Sequence, residues 1–160
     1  MRTWGISRFQ FSVIVVVTIL TVAGVAGLRD MRERLERAQV EATVRNLNSA
    51  LQLEVAHRIA AGQEGSIAAL AGMNPVPWLA APPPGYLGEV ALPPSQPAPG
   101  SWYFDRSSGE LAYRPVLSAH LTGAGSPPLL KWRIGRSQRP PRLLLTGGLA
   151  LVAVVDYEWY

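Results

Sequence analysis

The chain has 160 residues, a formal net charge of +4 and no cysteine. A disulfide framework and a thiolate metal site are therefore excluded, and beyond one apolar segment there is room for one small domain only. The positive balance comes mainly from arginines spread along the chain, often beside Glu or Asp, so nucleic acid is not an expected partner.

Residues 1–8 form a short basic tip with Arg2 and Arg8. Phe9 to Leu28, FQFSVIVVVTILTVAGVAGL, is the one long apolar run. A helix needs about 20 apolar residues to cross a hydrocarbon core, and this run is long enough to span a bilayer or sit in a helical bundle. Val25, Ala26 and Gly27 mimic a signal cleavage site, yet the helical pattern continues past them, so an uncleaved membrane helix over 9–28 is expected.

From 29 to 61 Met31, Leu35, Val40, Val44, Leu47, Leu51, Val55 and Ile59 recur mostly at steps of three and four. That spacing predicts one apolar stripe on an amphipathic continuation of the same helix, and the series drifts off a seven-residue register. Asp30, Arg32, Glu33, Arg34, Glu36 and Arg37 are assigned to the other faces, with ion pairs Glu33–Arg37 and Glu41–Arg45 worth about 0.2 to 0.5 kcal/mol each. Gly62 and Gly65 are the stop signals, which makes a rod of about 50 residues, or about 75 Å. Val44, Leu47, Leu51 and Val55 are expected to pack on a sheet.

Residues 62–100 hold a Pro-rich stretch, with nine of the fourteen prolines between 74 and 100. Because Trp78, Leu79, Tyr86, Leu87, Val90 and Leu92 punctuate it, an ordered loop packed on helix and sheet is expected rather than a free linker. Residues 101–160 then read as antiparallel sheet of about four strands. Trp102 and Phe104 alternate with Tyr103 and Asp105, Arg106 to Gly109 turn the chain under an Asp105 cap, and Leu111 and Tyr113 return. Lys131 to Ile134 form another strand. Leu149 to Val155 read as a central strand, hairpinned to Leu143–Leu145.

Chemistry-bearing patterns are missing. His57 and His120 fit no metal-ligand spacing, and there is no phosphate-cradling Gly-Lys loop and no GxSxG elbow. Neither metal, cofactor nor catalysis is expected. Arg133, Arg136, Arg139 and Arg142 read first as a solvated face, and a basic patch for DNA or an acidic partner stays open as the second reading.

A basic tip, a Gly, an apolar helix running into an amphipathic one, a loop and a terminal sheet: this order resembles the type IV pilin and type II secretion pseudopilin family. NPVPWL, PPPGYLGE and GSWYFDRSSGELAYRP are similar to the loop and first hairpin of certain pilin-like proteins. The resemblance implies an α+β pilin-like fold and cleavage by a prepilin peptidase between Gly5 and Ile6. It also implies filament assembly through Gln10, Ala23, Gly24 and Gly27, and helix–sheet packing that adds Trp102 and Phe104 to the stripe. Ile6 stands where the family has Phe, Gln10 where it has Glu, Gly27 where many members have Pro, and Arg8 brings a charge into a normally apolar portion.

On that resemblance the chain is a minor structural subunit anchored in a bacterial inner membrane with its domain in the periplasm. Its partners are then other pilin or pseudopilin subunits, inner-membrane assembly proteins and the lipid bilayer. The positive-inside tally, Arg2 and Arg8 against Arg29, Arg32, Arg34 and Arg37, alone favours the opposite orientation, so the family layout carries the assignment. The alternative is a single-pass anchor whose periplasmic domain binds protein as an envelope or cell-division scaffold.

Overall fold

The computed structural model describes residues 8–91, 96–136 and 148–160, and of 8–11 and 22 the backbone only. Gly5, Ile6, Leu92, Arg139, Arg142, the Leu143–Leu145 hairpin partner and the Gln10 side chain lie outside the described residues.

Helix α1 runs without interruption from Arg8 to Ala60, 53 residues, straight through Gly24 and Gly27. Nothing between Phe9 and Ala60 is a proline, and helix-favouring Ala, Leu, Glu, Gln and Arg dominate its second half. Thr18 and Thr21 satisfy their hydroxyls internally, each donating to the carbonyl four residues back at 2.8 Å, so neither needs a polar neighbour. The helix is stopped at Gly62, which takes φ +71° while the following amide reaches back to the Arg58 carbonyl at 2.8 Å. By length and composition α1 can cross a membrane: its most apolar 18-residue window has a mean hydropathy of 2.1, and none of that window is buried.

The second half of α1 is packed on a small mixed sheet, which gives an α+β architecture. The strands are β1 (Tyr86–Val90), β2 (Trp102–Asp105), β3 (Glu110–Tyr113), β5 (Leu130–Arg136) and β6 (Leu149–Ala153), in the order β1-β2-β3-β5-β6. Separate from these, β4 (Leu121–Thr122) and β7 (Glu158–Trp159) form a two-stranded antiparallel ladder.

The sheet is not purely antiparallel as expected, because β1 pairs with β2 in parallel. Its source is the proline-poor island YLGEV inside the Pro-rich stretch. These five residues, Tyr86 to Val90, ladder on one side only, at the sheet margin, where the prolines before them cost no hydrogen bond. Gly85 permits the approach: at φ +75° an added Cβ would sit 2.5 Å from the Gly100 carbonyl oxygen. The described residues between α1 and β1 form 3-10 turns at Glu64–Leu70 and Val76–Trp78. Leu70 and Val76 are buried and Trp78, Leu79 and Tyr86 pack on the core, whereas Leu87 points to solvent.

β6 is a margin strand of the described sheet rather than a central one. It ends at Ala153, and the alternating tail beyond it serves the β4–β7 ladder. The hairpin over 102–113 is as read, with Asp105 receiving the Ser107 amide and the Ser107 and Ser108 hydroxyls at its turn.

Register places Trp102 opposite Tyr113, Leu111 opposite Trp132 and Ile134 opposite Leu151. One face of the sheet therefore carries a cross-strand aromatic row, with Trp102 4.5 Å from Tyr113 and 5.5 Å from Trp132 between ring centroids. Val40, Leu47, Leu51 and Val55 of α1 complete this core, with Val44 and Ile59 at its margin.

Candidate functional site

Three polar residues of α1 fix which face of the helix the domain leaves free. Glu33, one turn beyond the apolar run, is 3% exposed. Its Oε1 accepts from the His120 amide at 2.9 Å and the Trp159 indole N–H at 3.0 Å, while Oε2 lies 3.1 Å from His120 Nδ1. Since the Tyr160 amide donates to the His120 carbonyl, one carboxylate ties the end of the chain and the turn before β4 to the helix.

Glu36, one turn on, accepts from the Tyr113 hydroxyl at 2.8 Å and from the Val116 and Leu117 amides at 2.6 and 3.1 Å. Asn48 accepts the Leu151 amide at 2.8 Å, so the helix occupies an N–H on the margin of β6 that would otherwise offer a pairing edge. Buried acids need such partners, because an unpaired carboxylate in a dry interface is far more costly than a hydrogen-bonded one.

These contacts set the local electrostatics. Desolvation raises the Glu33 carboxyl, but the donors from His120 and Trp159 outweigh it and hold it below its ordinary value of 4.5. Asp105 follows the same pattern, burial being outweighed by Ser107 and Ser108. Burial, then the adjacent Glu36, pushes the Tyr113 phenol well up. A carboxyl whose folded pKa is depressed stabilises the fold above its unfolded pKa and loses that contribution as pH falls through the folded value. The thermal midpoint is therefore expected to fall between about pH 6 and about pH 3, and to fall less in Glu33→Gln. Parallel melting curves of the two proteins at both pH values check this.

Of the sequence-derived residues, Val44, Leu47, Leu51, Val55, Trp102 and Phe104 come together in one core. Ala23, Gly24 and Gly27 lie exposed on the free half of α1, and an added Cβ at either glycine meets nothing within 4 Å. Met31 and Leu35 do not join the stripe; they are 61% and 55% exposed. The series facing the domain is instead Glu33, Glu36, Val40, Val44, Leu47, Leu51 and Val55, a regular run of threes and fours that mixes acids with apolar residues.

The expected Glu33–Arg37 pair is accordingly absent, since Glu33 turns inward. Arg37 pairs with Glu41 at 2.8 Å, Arg34 with Asp30 at 2.9 Å, and Glu41 reaches Arg45 at 3.7 Å. The contacts of Glu36, Asn48, His120 and Trp159 have little signature in the sequence; for the acids it is their place in the same helical sector as Val40 and Leu47. His57 is exposed on the helix, and among the described residues no group of three or more His, Asp or Glu side chains could hold a metal ion.

An open groove of about 750 Å³ runs beside the clasp, between α1 and the loops flanking β2 and β3, floored by Val40, Trp102 and Tyr113 and rimmed by Leu35, Val116 and Leu117. Compared with protein-family models, curated proteins and solved structures, the chain has no match.

Proposed function

We propose that this chain is a structural, non-catalytic subunit of a pilin- or pseudopilin-type filament, held in the bacterial inner membrane by the first half of α1 with its domain in the periplasm. The observation that carries this reading is one unbroken helix with two environments. Its first half exposes Val13 to Val17, Ile19, Leu20, Val25 and Leu28, and its second half is clasped by the sheet. Such a rod can exchange lipid for neighbouring helices without passing through water, because both solvate the same apolar surface. Partners are then further subunits and the inner-membrane assembly proteins that move them.

Ala23, Gly24 and Gly27 support close approach by a neighbour, since the chain's own fold leaves the space above the glycines open. Gly24→Leu is expected to leave the thermal midpoint of the domain unchanged while lowering recovery in sheared filament fractions, and quantitative blotting of those fractions measures it.

N-terminal sequencing of protein extracted from membranes tests the reading as a whole. A mature chain beginning at Ile6, present in filament fractions, supports it. An intact Met1 with no filament association points instead to a single-pass anchor.

A further inference from the structure

The apolar residues left out of the core are arranged. Taking about 100° per residue, Leu28, Met31, Leu35, Ala38 and Ala42 fall in one sector, roughly 150° around the helix from the clasped series through Glu33, Val40 and Leu47. Their steps of three and four keep the seven-residue register that the clasped series loses, and upstream Ile14, Val17, Thr21 and Gly24 continue the same line. Leu28, Met31 and Leu35 are all more than half exposed, at 61%, 61% and 55%. The groove described above adjoins this seam and shares Leu35 and Ala42 with it, while Val116, 59% exposed, forms its far wall. The seam from Leu28 to the groove's upper end at Asn46 is about 27 Å long, about five helical turns.

The charges beside the seam are unbalanced. Arg32 lies on one flank, exposed and without an ion-pair partner among the described residues, and Arg34 and Arg45 lie on the other. Two acids sit there, Asp30 paired with Arg34 at 2.9 Å and Glu41 shared between Arg37 and Arg45, so Arg32 is the cation left over. Glu36 lines the groove but is occupied by its three donors. A second copy of the chain in parallel register would set Arg32 against Gly27, leaving that cation unmatched. A helix with an acid facing Arg32, which also lines the groove, matches it.

We infer that the seam from Leu28 to Ala42, with the adjoining groove, receives an amphipathic helix from a different chain, apolar along its own seam and acidic on its flanks. This builds on the filament reading, which requires a neighbour's helix, and specifies that neighbour as a partner other than this chain.

The test uses the full chain in zwitterionic lipid nanodiscs, with empty discs as blank and fluorescent helical peptides of about three heptads as probes. One probe carries Leu along its seam with Glu flanks, the second has Lys flanks, and the third copies residues 27–47 of this chain. The Glu-flanked probe is expected to bind roughly tenfold more tightly than either of the others. Arg32→Glu is expected to reverse the preference between Glu and Lys flanks, and Leu35→Glu to abolish binding of all three. Equal binding of acidic and basic probes, binding of the self-derived probe as tight as the acidic one, or full binding by Leu35→Glu overturns the inference. Acidic-probe binding together with an unprocessed chain absent from filaments would remove the filament reading and leave the seam. Processing and filament incorporation without acidic preference would remove the seam alone.

Discussion

Leu47→Asp is expected to unfold the domain, or to lower its thermal midpoint by about 15 °C or more. Leu47 has no exposed surface and lies between Val40, Leu51 and the aromatic row of the sheet. Truncating a buried leucine costs about 2 to 5 kcal/mol by itself, and the new carboxylate must be dried with no donor prepared for it. A domain of this size has about 5 to 15 kcal/mol in total, so the loss is comparable with the whole. Leu51→Asp is expected to behave alike. Leu53→Asp supplies the control, because Leu53 is 72% exposed on the same helix and the same substitution there should shift stability by no more than about 0.5 kcal/mol. Differential scanning fluorimetry of the three variants reads the contrast, and equal midpoints for Leu47→Asp and Leu53→Asp would contradict the packing.

Glu33→Ala is expected to cost about 3 kcal/mol and to release the end of the chain from α1. The substitution orphans the His120 amide, the His120 ring and the Trp159 indole together, and the indole is buried. Glu33→Gln keeps an accepting oxygen but loses the charge and one accepting position, so an intermediate loss is expected. A double-mutant cycle with His120→Ala should give a coupling of about 1 kcal/mol or more. Amide exchange at His120 and Tyr160 should quicken in Glu33→Ala while exchange in β3 and β5 changes little. Strictly additive losses would mean that the two groups do not act on one another.

The same two residues show what the amino-acid pattern can and cannot convey. The rod, its stop at Gly62, the hairpin over 102–113 with its Asp105 turn, and the inward set Val44 to Val55 all follow from local spacing and turn chemistry, which act over a few residues. Hydrophobicity and helical step both admit Met31 and Leu35 to that set. Their true separation depends on where the domain ends along the rod. Below Val40 the sheet is replaced by loop amides and the β4–β7 ladder, which call for acceptors, so acids take the inward places and the leucine faces out. Only the distant segments 113–120 and 159–160 convey that requirement. Likewise β1 was hidden because a parallel margin strand is defined by its partner, and five residues of YLGEV among prolines carry little signal of their own.

Since the chain lacks cysteine, spin labels can be placed cleanly at Leu20→Cys and Leu53→Cys, both on the exposed surface of α1. A continuous helix sets these positions about 50 Å apart, and a single narrow dipolar distance near that value is expected for the full chain in lipid nanodiscs. A markedly shorter distance, or a broad distribution reporting a break near Gly24 to Gly27, would contradict the one unbroken rod on which the proposed assembly depends.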